Sequence, residues 1–136
     1  MRREDWTTRL YEFVYDPTNA TIAWGTNDCV MFAANCARHI TDQDPLEFTN
    51  ETWSDESEAQ EVLDRMGGLF AAVCSVLGPP IDNPLMAQRG DVALVEVSNT
   101  SFLAVHLGDR LVVPSKEQGL IEIKVSHARC VWKVGR

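Results

Sequence analysis

At Gly90 the spacing of the apolar residues changes, and that change sets the class of fold. Before it, apolar side chains recur at steps of three and four; after it, they alternate or run together in short β-branched stretches. The spacing predicts helices over about Asp5–Tyr15 (stripe Trp6, Leu10, Phe13, Val14), Cys29 to about Thr41, Ser54 to about Met66, and Leu69–Leu77. It predicts strands over Asp91–Val97, Phe102–Leu107, Arg110–Val113, Leu120–Val125 and Cys130–Val134, with Asn99-Thr100 and Gly108-Asp109 as hairpin turns. Helices first and strands second make an α+β domain, with N-terminal helices (1–86) packed on a C-terminal antiparallel meander (87–136). A chain of 136 residues holds one hydrophobic core and one domain, residues 1–136.

The second helix opens on the stretch Trp24-Gly25-Thr26-Asn27-Asp28-Cys29. Cys29, Phe32, Ala33, Cys36, Ala37 and Ile40 fall at helical steps, so they share one face. Thr26, Asn27 and Asp28 are N-cap residue types, which puts Cys29 in the first turn. A thiol there lies beside unpaired backbone N–H groups and the positive end of the helix dipole, and both favour the thiolate. Gly25 lets the backbone turn sharply into the helix, and Asp42-Gln43-Asp44-Pro45 ends it. Activated nucleophiles sit at such helix tips; a small, inert buried thiol is the plainer alternative.

The net charge of −8 argues against nucleic acid or an anionic membrane surface as the main partner. No segment approaches the roughly 20 apolar residues of a membrane span, and Met1-Arg2-Arg3-Glu4-Asp5 leads into no apolar signal core, so no export signal is expected. Cys29, Cys36, Cys74 and Cys130 contain no C-x-x-C pair, and Asp42 with Asp44 lacks the glycine and closing glutamate of a calcium loop. No metal or cofactor is expected. Cys29 and Cys36 lie about 10 Å apart along one helix, beyond disulfide reach, so reduced thiols in a cytoplasm are expected.

A cysteine nucleophile needs an imidazole within hydrogen-bond reach. His39 falls in the last turn of its helix, where it complements the dipole. The candidate bases are His106, on a middle strand expected to face the helix and sharing the strand face of Phe102 and Ala104, and His127, before the last strand. The plainer alternatives are a core histidine held by one backbone bond and a surface loop residue.

Trp24-Gly25 followed by Asp28-Cys29 and an apolar helix resembles the nucleophile motif of the NlpC-type cell-wall peptidases, a papain-like family. Arg89-Gly90-Asp91-Val92-Ala93-Leu94-Val95 is similar to that family's Gly-Asp strand, and Leu103-Ala104-Val105-His106-Leu107-Gly108 to the strand after it. The resemblance covers residues 21–41 and 87–114 and leaves the helical insert 42–86 unmatched. It implies a papain-like fold with Cys29, next to Asp28, as the catalytic candidate, while His106 stays a candidate base from its place on the strand alone. Trp24, Gly25, Asn27 and Phe102 become candidates for the binding cleft. Where the family's catalytic histidine opens the second strand, this chain has Phe102, and Val112, Val113, Pro114 and Ser115 stand where its third polar residue is expected. Phenylalanine accepts no proton, and His106 lies four positions, about 13 Å, along the strand.

The closing Gly119-Leu120 and Val131-Trp132 resemble a compact branch of the family encoded in phage tail gene clusters. That branch implies a tail tip, hub or assembly component, with weakened or absent catalysis. Its partners would be other tail proteins or further copies of itself, and its place the infected host's cytoplasm and then the virion tail. An active cysteine endopeptidase or amidase acting on peptidoglycan stem peptides is the alternative, and a small peptide-binding module a third.

Overall fold

The computed structural model describes residues 1–47 and 49–136. Among them, four α-helices precede one sheet: α1 (Trp6–Val14), α2 (Cys29–Thr41), α3 (Glu56–Arg65), α4 (Leu69–Leu77), β1 (Val92–Val97), β2 (Thr100–His106), β3 (Leu111–Pro114), β4 (Leu120–Ile123) and β5 (Ala128–Trp132). The fold is α+β, with every strand pair antiparallel.

The strand order is β4-β3-β2-β1-β5. The meander therefore stops at β4, and β5 returns to the free edge of β1 instead of extending the run. Composition explains this placement. Val92-Ala93-Leu94-Val95 is buried on both faces and needs a partner on each side, whereas Leu120-Ile121-Glu122-Ile123 exposes Glu122 and suits an edge. The β1–β2 turn is Ser98-Asn99, one residue earlier than the expected Asn99-Thr100. Both turn residues have positive φ (49° and 65°), the geometry that matches the twist of the flanking strands, and Val97 pairs directly with Thr100.

Alternation along β2 divides its side chains between two cores. Leu103, Val105 and Leu107 join Val92 and Leu94 against Phe32, Ala33, Cys36 and Ala37 of α2. Ala104 joins Ala93, Val95, Leu111, Val113 and Val131 in a second cluster on the other face, partly covered by Ile81, whose N–H donates to the Val131 carbonyl at 2.9 Å. Phe32 and Ile40 are fully buried, each worth about 1.5–3 kcal/mol of apolar transfer. The α2 helix ends as its sequence dictates: Asp42 turns left-handed at φ 61° and its N–H returns to the Arg38 carbonyl at 2.7 Å.

The start of β1 is fixed by Asp91, which is completely buried. Its carboxylate accepts from the backbone N–H of Gln88 (2.8 Å) and Val134 (3.2 Å), from Arg2 Nη2 (3.0 Å), and from Arg136 through Nε (3.1 Å) and Nη2. Five donors satisfy a charge that would otherwise be too costly to bury.

Candidate active site

Cys29 is the first residue of α2, and Asp28 is its N-cap. One Asp28 oxygen accepts from the Met31 N–H at 2.9 Å; the other accepts from the Gly25 N–H at 2.9 Å and from the Trp53 indole Nε1 at 2.5 Å. Both oxygens are thus committed and the residue is 2% exposed. Asp28 sets the start of the helix and the path of the loop before it. The loop is anchored to the end of β3 by a bridge between Thr21 and Ser115, with the Ile22 N–H donating to the Ser115 carbonyl at 2.9 Å.

Gly25 explains why the insert sits where it does. Its φ is +84°, and a Cβ there would lie 2.1 Å from the Trp53 carbonyl oxygen. Only glycine permits the backbone of residue 53 to pass this close while its indole reaches Asp28. The insert 42–86 thereby forms part of the site.

The thiol of Cys29 packs against both clusters of the sheet. Burial pushes its pKa up from 9.0 to about 11, helped by the charge of Asp28. The backbone amides of Leu103, Val30 and Cys29 itself oppose the rise without cancelling it. Burial thus works against the helix-activated thiolate expected from the sequence. The dipole and the helix-tip amides are present, but the desolvation of an enclosed sulfur outweighs them.

A cavity of about 580 Å³ opens beside the sulfur. Its walls include Val30 of α2, Leu63 of α3 and Met66 just after it, Val76 of α4, and Phe102. Of the expected site residues, Cys29, Asp28, Trp24 and Phe102 line it, while Gly25 and Asn27 do not. The Asn27 amide instead donates inward to the carbonyls of Asn19 (2.8 Å) and Thr21 (2.9 Å), bracing the loop, and its Oδ1 is buried without a partner. Asn27 is a loop brace, not a cleft residue.

None of the three histidines lines the cavity. His106 shares the strand face of Phe102 and Ala104, but it lies too far along β2 to reach Cys29, so the expected approach does not occur. It sits at the opposite end of β2 from Phe102, about 13 Å along the strand. Its Nδ1 accepts from the Gly108 N–H at 2.9 Å, and its pKa is lowered by burial against the opposing charges of Asp91 and Asp109. His127 is exposed in the turn before β5, and the His39 ring packs 5.9 Å from Phe13. Besides Cys29, the ionisable residues at the cavity are Asp28, Glu51, Glu56 and Lys116. Glu51 is paired with Arg65 at 2.5 Å.

The parts of the site that the motif reading did not reach are Trp53 and the α3–α4 wall. A signal for the wall was present: Ala59, Leu63 and Met66 recur at helical spacing and form an apolar stripe. What that stripe packs against lies outside local sequence. Among the described residues, no cluster of three metal-ligating side chains occurs, and no helix is long and apolar enough to cross a membrane.

No curated protein matches the chain. A family profile spans residues 1–134, and the protein belongs to that family, described as Domain of unknown function (DUF6950).

Proposed function

We propose that the protein is a structural or assembly component of a phage tail, built on an NlpC-type papain-like domain whose cysteine no longer hydrolyses peptides. The observation that carries the loss of hydrolysis is the make-up of the cavity wall. Phe102 occupies the position of the expected base, no histidine lines the cavity, and the thiol is pushed up to about 11. The papain-like reading is supported by the resemblance of the motifs around Cys29 and Gly90-Asp91 to the NlpC-type family, and the tail assignment by that of Gly119-Leu120 and Val131-Trp132 to its tail-encoded branch. On this reading the protein acts by binding tail partners or copies of itself, first in the host cytoplasm and then in the virion.

Incubation of the purified protein with peptidoglycan and with isolated stem peptides should give no new products by mass spectrometry, and phage carrying Cys29→Ala should remain infectious. Cleavage that disappears in Cys29→Ala would overturn the proposal in favour of an active endopeptidase or amidase. One observation favours that second reading: Cys29 still stands at the first position of α2, beside the unpaired amides of the helix tip.

A further inference from the structure

The cavity beside Cys29 is walled on its outer side by α3, and that helix gives the opening a strong charge. Residues 51–66 hold six carboxylates (Glu51, Asp55, Glu56, Glu58, Glu61, Asp64) and one arginine, a net of −5 out of the chain's −8. Glu51 and Glu56 stand at the cavity itself, while Glu58, Glu61 and Asp64 lie behind them on the same helix, within about one helix diameter. Arg65 is taken by Glu51, and Glu58 accepts from the Ser54 N–H and hydroxyl, but Glu56 and Glu61 have no ion-pair partner among the described residues.

The apolar walls are left half-buried: Val30, Leu63, Met66, Val76 and Phe102 all retain exposure toward the opening. A cavity of about 580 Å³ is large enough for several aliphatic side chains. Charge decides between occupants. A fatty-acid anion would have to enter past a net negative rim with only Lys116 to meet it. A second copy would bring the same acidic α3 against this one. A cationic segment is drawn in by the same field.

We propose that the cavity is the docking site for a basic, amphipathic segment of a partner protein, its apolar residues entering between α2, α3 and α4 and its Lys or Arg residues facing the α3 carboxylates. The inference rests on the cleft being a binding site and not a hydrolytic one, and the two can fail separately.

The test uses the intact protein and a fluorescein-labelled peptide of about 18 residues, with Leu at helical spacing and Lys elsewhere. The comparison probes are the same peptide with Glu for Lys and a dansylated fatty acid. The Lys peptide should bind by anisotropy and slow the alkylation of Cys29. Its affinity should fall about ten-fold when salt is raised from about 0.05 M to 0.5 M. Glu56→Lys should weaken it about three-fold and Ala59→Trp, which fills the cavity, about ten-fold, with circular dichroism showing both variants folded. Tighter binding of the Glu peptide or the fatty acid overturns the inference, as does self-association that blocks the probe, or Lys-peptide binding untouched by Ala59→Trp. Absence of binding with the probe intact also overturns it, whereas a cleaved probe overturns the non-hydrolytic reading instead.

Discussion

Cys29 and Phe102 line the same cavity, with Cys29 at the first position of α2 and Phe102 on β2. An aromatic hydrocarbon thus stands where a proton acceptor would complete the site. The thiol keeps its helix tip and its amides and lacks the one neighbour that would hold it ionised.

A base placed at residue 102 should raise the reactivity of the thiol. Phe102→His puts an imidazole in the cavity, and the apparent pKa of Cys29, read from the pH dependence of iodoacetamide labelling, should fall by about 1–3 units. In the parent protein, labelling of Cys29 should stay slow and rise steeply only toward pH 11. Cys29 should react no faster than Cys74, and Cys36, pushed up to about 12 by burial, should be the slowest. Rapid parental labelling at pH 7 would contradict the burial argument.

Asp91 should matter to stability far more than to the site. Asp91→Ala leaves the Arg2 and Arg136 guanidiniums and the Val134 N–H without their acceptor. A loss of about 3–5 kcal/mol is expected in denaturant melts. An unchanged midpoint would show that the clasp contributes nothing.

His106 makes stability fall in mild acid. Burial holds its folded pKa below the ordinary imidazole value of about 6.5, so the unfolded chain binds the proton more readily than the native one. This contribution is fully present above pH 6.5 and is lost as pH falls from there toward the folded value, because protonating Nδ1 breaks its bond from Gly108. His106→Gln should flatten the melting temperature between about pH 7.5 and 5.5. A parallel decline in both proteins would assign the effect to other groups.

Gly25 and Gly119 separate backbone strain from steric exclusion. Both have positive φ, but a Cβ at Gly119 meets open space while one at Gly25 meets the Trp53 carbonyl. Gly119→Ala should cost about 1 kcal/mol. Gly25→Ala should cost about 3 kcal/mol or more and free the Trp53 indole from Asp28, seen as a shift in tryptophan fluorescence.

Most of the local structure was legible because it is written in short-range terms. The α2 boundaries follow from Asp28 and Asp42, and α4 from the glycines on either side of it. The site was legible only in part. Cap chemistry placed Cys29 at a helix tip, but its ionisation depends on how much chain folds over the sulfur, which no local pattern records. His106 shares a strand face with Phe102, which does reach the cavity, and the four positions between them carry its ring out of range of the sulfur. The return of β5 to β1, and the use of the 42–86 insert as a cavity wall, are long-range packing outcomes.

Arg2 and Arg136 grip one carboxylate from either side. Pulling Arg2 away from Arg136 would therefore load Asp91, together with the direct bonds from Arg2 to the Gly135 and Val134 carbonyls, before the hydrophobic interior. In an assembly that pulls on its subunits, a domain tied in this way would behave as a rigid link.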